Sequence, residues 1–120
     1  MSGVISFGRG FNRDRLWFCA GWGFRAVLDR VVERNSGDEA LVREVRQGES
    51  HGGLHLELVG EESSELADRI LRALEAVADE IVAGDFRPRV NDRELSDEEQ
   101  RMLQTSVAEL LDGIRRETET

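Results

Sequence analysis

The spacing of apolar and polar positions changes several times along this chain, and each change marks an element. Residues 4–7, "VISF", are β-branched and aromatic and run into "GRG", which predicts a short strand closed by a glycine turn. From Phe24 the period becomes helical. Phe24, Val27, Leu28, Val31 and Val32 fall on one face and Arg25, Asp29, Arg30 and Glu33 on the other, so a helix is expected over 24–34. "NSGD" ends it.

The next stretch supports two readings. Ser36 lies three residues before Glu39, a capping-box spacing that would start a short helix running through Gln47. In the other reading "ALVREVR" is a strand, turned by "QGESHGG" into "LHLELV", and this second reading is narrowly preferred over 39–47. Leu54, Leu56 and Leu58 alternate with His55 and Glu57, which predicts a strand over 54–59.

Two long helices follow. Over 63–83, Leu66, Ile70, Leu74, Val77, Ile81 and Val82 form one stripe, and Gly84 supplies a stop. Glu65 before Arg69 and Asp68 before Arg72 mark the opposite face as solvated. A connector with the only proline, Pro88, leads to Ser96 and Glu99, a second capping box. The helix behind it runs through Arg116 with Leu103, Val107, Leu110, Leu111 and Ile114 inward, and the tail 117–120 frays. The pattern as a whole predicts one α+β domain over residues 1–120. Its small sheet includes 4–7 and 54–59, with one short and two long amphipathic helices packed on it.

Composition adds constraints. At 120 residues and 39% hydrophobic content, a core is attainable without disulfides or metals, and the single cysteine excludes an internal disulfide. One thiol, no secretory pattern at the N-terminus and no long apolar run lead to the expectation of a soluble, cytoplasmic protein with no membrane association. All sixteen basic residues are arginine, so Schiff-base or other lysine catalysis is excluded. Residues 1–34 carry six arginines against three acids, a net +3, whereas residues 35–120 carry ten against twenty-two, a net −12. An acidic surface repels phosphate backbones, which disfavours nucleic acid and favours a basic protein partner.

The candidate chemistry is concentrated early. Six of the seven aromatic residues precede position 25, and "RLWFCAGWGF" holds Trp17, Phe18, Trp22, Phe24 and Cys19. A strand, then Gly21-x-Gly23-x-x-Ala26, a helix, a second strand and Glu44 follow the order of a dinucleotide-binding unit, which the stretch resembles over about thirty residues. Bulky Trp22 where a backbone must approach a pyrophosphate, the lack of further strand-helix repeats, and the short chain oppose that reading. The plainer one gives the glycines a tight turn into the helix and the rings to the core.

His51, His55 and Cys19 lack the spacing of a metal site, so neither a metal nor another cofactor is expected. Cys19 sits in an apolar run, which suits packing better than a nucleophile paired with His55. Arg87, Arg89 and Arg93 near Phe86 suit either a docking loop or a charged connector.

With no catalytic motif, enzyme function has little support. The expected function is a small non-enzymatic interaction protein, of the inhibitor or immunity type, presenting an acidic surface to a basic protein partner. The alternative is a small-molecule or nucleotide-binding domain using the aromatic, glycine-rich turn at 17–26. The residues expected to bind ligand or partner are Trp17, Gly21, Trp22, Gly23, Phe24, Arg87, Arg89 and Arg93. Self-association as a homodimer is a third option, since two long apolar-faced helices on a short chain often share a surplus face.

Overall fold

The computed structural model describes residues 2–8, 15–57, 61–90 and 92–118. In chain order the elements are β1 (Ser2–Gly8), β2 (Arg15–Ala20), α1 (Gly21–Arg34), α2 (Glu39–His51), β3 (Gly53–Glu57), α3 (Glu61–Val82), β4 (Arg89–Val90), β5 (Arg93–Glu94) and α4 (Asp97–Thr118). The fold is α+β, with four helices among the described residues. The expected turn at Arg9 and Gly10, Leu58 and Val59 of the 54–59 strand, and the end of the tail lie outside the described residues.

Strand β1 is central in a sheet of order β2-β1-β3, antiparallel to β2 and parallel to β3. Pleating sends alternate side chains to one face, and here Gly3, Ile5 and Phe7 are the buried set. Register places Ile5 opposite both Trp17 and Leu54, Gly3 opposite Cys19, and Phe7 opposite Leu56. The helices cover this face, and Ile5, Phe7, Trp17, Leu54 and Leu56 join one contiguous core with the helix stripes. Ile70, Leu74, Val77 and Ile81 of α3 are fully buried, as are Val107 and Ile114 of α4. Each such side chain contributes roughly 1.5–3 kcal/mol by leaving water. The stripes are consumed within the chain except at the ends of α3, where Leu66 is only partly buried and Val82, expected inward by its spacing, is 36% exposed.

Segment 39–47 is a helix, which corrects the narrowly preferred strand and makes two short helices where one was expected. Alternation over 39–47 segregates nothing, because Arg43 and Gln47 would share a strand face with Leu41 and Val45. Helical spacing instead brings Leu41, Val45 and Gly48 together as the buried face. The cap is Asp38 and not Ser36: Leu41 N–H donates to Asp38 Oδ1 at 3.2 Å. At the other end Gly52 takes φ 75°, a left-handed conformation that glycine adopts without a Cβ penalty, and its N–H returns to the Glu49 and Gly48 carbonyls. His51 is consequently the last residue of α2, not part of a loop, and its Nδ1 lies 2.8 Å from the Gln47 carbonyl.

The start of α1 also differs from expectation. The helix begins at Gly21, directly after β2, so Gly21 and Gly23 lie inside its first turn. A Cβ on Gly23 would stand 2.6 Å from Cys19 Sγ, and this close approach of helix to strand is what the glycine permits. The dinucleotide-binding arrangement is absent here, because β2 runs antiparallel to its neighbour β1 and Glu44 sits on α2 rather than at a strand end.

An ionic cluster ties α1 to α3. Arg30 donates to both oxygens of Glu80 at 2.7 and 3.2 Å, Arg34 adds a third bond at 2.9 Å, and Arg30 lies 4.2 Å from the Phe86 ring centroid. The Arg30 hydrogen bond, reinforced by both arginine charges, lowers the Glu80 carboxyl below its ordinary value. No described helix is long and apolar enough to cross a membrane.

Candidate functional site

The aromatic group at 17–24 divides between core and surface. Trp17 is 4% exposed and its indole N–H donates to the Ser106 carbonyl of α4 at 2.8 Å; Phe24 is 3% exposed. Both belong to the core. Trp22 is half-buried, packed against that core from the outer side of α1. The side chain of Phe18 and the whole of Phe11 lie outside the described residues.

Trp22 and Gly21 line a cavity of about 800 Å³ between the start of α1, the end of α2 and β4. Ligand cavities commonly hold ~300–1,000 Å³, so a small organic molecule fits this volume. Arg25 and Asp29 contribute from α1, Arg46 and Glu49 from α2, and Arg89 from β4. Arg46 is clamped by Asp29 and Glu49, each at 2.6 Å. The Asp29 hydrogen bond, followed by the Glu49 hydrogen bond and both charges, raises the Arg46 pKa above its ordinary value, so it stays a cation. Arg25 is exposed and has no acidic partner among the described residues. Arg89 donates to the Asp92 carbonyl at 3.0 Å and to no carboxylate among them. Among the described residues the walls thus hold three guanidinium charges against two carboxylates.

The arginine loop is divided as well. Arg87 reaches Asp97 at 3.3 Å, and Arg93 forks onto Glu99 at 2.8 and 2.9 Å. Glu99 accepts from the Ser96 N–H at 2.9 Å while its own N–H donates to Ser96 Oγ at 3.1 Å, which is the capping box expected from the sequence. These bonds fasten the hairpin of β4 and β5 to the start of α4. Of the three arginines singled out, Arg89 alone lines the cavity, and Arg87 and Arg93 serve the hairpin.

The Glu99 carboxyl is lowered to about 2, first by the Arg93 hydrogen bond and then by the Ser96 N–H. Its folded pKa lies below its ordinary value of 4.5, so its contribution is complete above that value and disappears as pH falls through about 2. An E99Q variant should melt below wild type at neutral pH, and the gap should close between those two values. Thermal melts followed by circular dichroism across that range would show it, and a pH-independent gap would remove Glu99 ionisation as the cause.

Sequence reasoning missed Arg25, Asp29, Arg46 and Glu49. Trp22, Arg25 and Asp29 do share a helical face by spacing, but nothing local joins them to α2. Among the described residues no group of three or more His, Cys, Asp and Glu is placed to hold a metal. The side chain of His55, and with it the Cys19–His55 pairing, lies outside the described residues. Neither protein-family models, nor curated proteins, nor solved structures give a match to this chain.

Proposed function

We propose that the chain is a small non-enzymatic interaction protein, of the inhibitor or immunity type, that presents acidic surface to a basic protein partner. The observation that carries this reading is the set of carboxylates left over after the internal ion pairs are made. The carboxylates of Glu94, Glu98 and Glu109 at the α4 side, and of Glu44 and Glu75 elsewhere, have no arginine partner among the described residues. Within α4, Glu98 and Glu109 stand on the same outer face as Met102, which is 59% exposed, with Arg101 the one cation among the described residues of that shallow groove. A flexible thioether rimmed by carboxylates suits a partner that brings an apolar anchor flanked by positive charge.

A lysine- and leucine-bearing amphipathic peptide, dye-labelled and followed by fluorescence anisotropy, tests this. Binding should weaken about tenfold in an E98K/E109K variant and fall steeply with added salt. An E44K/E75K variant serves as the control for net charge. Salt-indifferent binding, or equal loss in both variants, would overturn the assignment to α4.

A second reading places a small molecule in the cavity beside Trp22. Its volume and its partly buried indole favour it.

A further inference from the structure

Resting on that second reading, we propose that the α1–α2–β4 cavity binds a small organic anion with a planar ring, of the size and chemistry of a nucleoside monophosphate. The charge distribution in its walls is the first argument. Asp29 and Glu49 are both engaged by Arg46, which they hold between α1 and α2. The guanidinium groups of Arg25 and Arg89 are left without a carboxylate among the described residues, although the chain as a whole carries −9. Among the described residues arginine elsewhere is mostly satisfied internally, Arg43 and Arg101 excepted: Arg30 and Arg34 hold Glu80, Arg93 holds Glu99, and Arg116 holds Asp112. Two unneutralised cations in one concavity are therefore a local departure from the surface around them. They would attract an anion that the rest of the molecule repels.

The second argument is shape and surface. Trp22 forms part of the same wall, and an indole is a stacking surface for a planar ring, while guanidinium groups match the paired oxygens of a phosphate or carboxylate. Arg25 and Arg89 come from different elements, one on α1 and one on β4, so a single anion held by both would bridge helix to hairpin. Ser50 at the end of α2 adds a hydroxyl for a sugar-like polar body. A neutral or cationic ligand would use none of the two free charges.

Adenosine monophosphate is the probe, with adenosine and inorganic phosphate as its separate halves, read by tryptophan fluorescence and by melting temperature. The monophosphate should quench emission and raise the melting temperature saturably, and each half should bind about tenfold or more weakly. R25A and R89A, both at exposed positions, should each weaken binding about tenfold; R25A should leave the melting temperature of the free protein unchanged, and R89A gives up only the exposed hydrogen bond to the Asp92 carbonyl. No response at about 10 mM monophosphate would overturn the proposal, as would binding that both arginine variants leave unchanged. The small-molecule reading is separable from it. A panel of neutral and cationic metabolites that shifts the melting temperature through Trp22 but not through the arginines would leave that reading standing and refute the anionic class. Silence from every compound would remove both.

Discussion

A Gly3→Ala substitution is expected to cost about 3 kcal/mol, a large share of the roughly 5–15 kcal/mol that holds a domain of this size together. The reason is one contact. A Cβ built on Gly3 would lie 2.1 Å from Phe24 Cγ and 2.4 Å from its Cδ1, so the ring occupies the space where a side chain would project from β1. Relief is not available nearby. Phe24 is 3% exposed in the first turn of a helix that follows β2 without a loop, and Val27 and Leu28 beside it are fully buried. The ring can neither swing to solvent nor take the helix with it, so the strain falls on the pairing of β1 with β2, where Gly3 lies opposite Cys19. Urea unfolding followed by tryptophan emission would measure it. Phe24→Ala alone should cost about 3–5 kcal/mol, and the double variant should cost little more than Phe24→Ala, because the added methyl group then enters vacated space. Additive losses would show that the two residues do not meet. A Gly3→Ala protein within about 0.5 kcal/mol of wild type would mean that Phe24 is seated elsewhere.

That contact also shows which parts of the fold could be read from the sequence. Helices α3 and α4 were legible because their evidence is local and repeated: a stripe at three-four spacing, a Ser96–Glu99 cap, and Gly84, which indeed takes φ 81° behind α3. The alternation of Leu54 and Leu56 marked β3 for the same reason. The start of α1 was misplaced because glycine disfavours helix interiors by local propensity, whereas here Gly23 is set by the approach of Cys19, a tertiary matter. In α2 the apolar residues are few, and a short apolar segment reads as strand or helix until its partners are known. Its partners lie on α1, β3 and α3.

The candidate cavity was half legible. Composition drew attention to Trp22, Gly21 and Arg89, but in a sequence nothing distinguishes the rings that fill a core from the one that lines a wall. Register does: Trp17 stands opposite Ile5 on the inward face of the sheet, and Trp22 is already on the helix, beyond it. The wall itself is assembled from α1, α2 and β4, and the ion pairs that separate satisfied Arg46 from unsatisfied Arg25 and Arg89 are long-range contacts. Charge counting put a net positive charge on residues 1–34, where Arg25 lies, but could not show that Arg46 and Arg89 join it in one concavity.

The indole of Trp17 should account for the other large loss. Trp17→Ala is expected to destabilise by about 4 kcal/mol, since it empties a fully enclosed site between β1, β2 and α4. Trp17→Phe keeps most of the apolar contact but gives up the 2.8 Å hydrogen bond from the indole N–H to the Ser106 carbonyl, and should cost about 1–2 kcal/mol. The two variants separate packing from hydrogen bonding, and emission adds an independent reading. No tyrosine contributes, so wild-type fluorescence is the sum of one enclosed and one half-buried indole. Removing Trp17 as phenylalanine should leave a redder signal that acrylamide quenches more readily, from Trp22 alone. A Trp17→Ala loss below about 1 kcal/mol would mean that β2 is not packed on α4 as described. If the expected order holds, Trp17→Phe becomes the better protein for titration. Its remaining fluorophore then lies in the cavity wall beside Arg25, where an arriving anion with a flat ring must either touch it or prove to bind elsewhere.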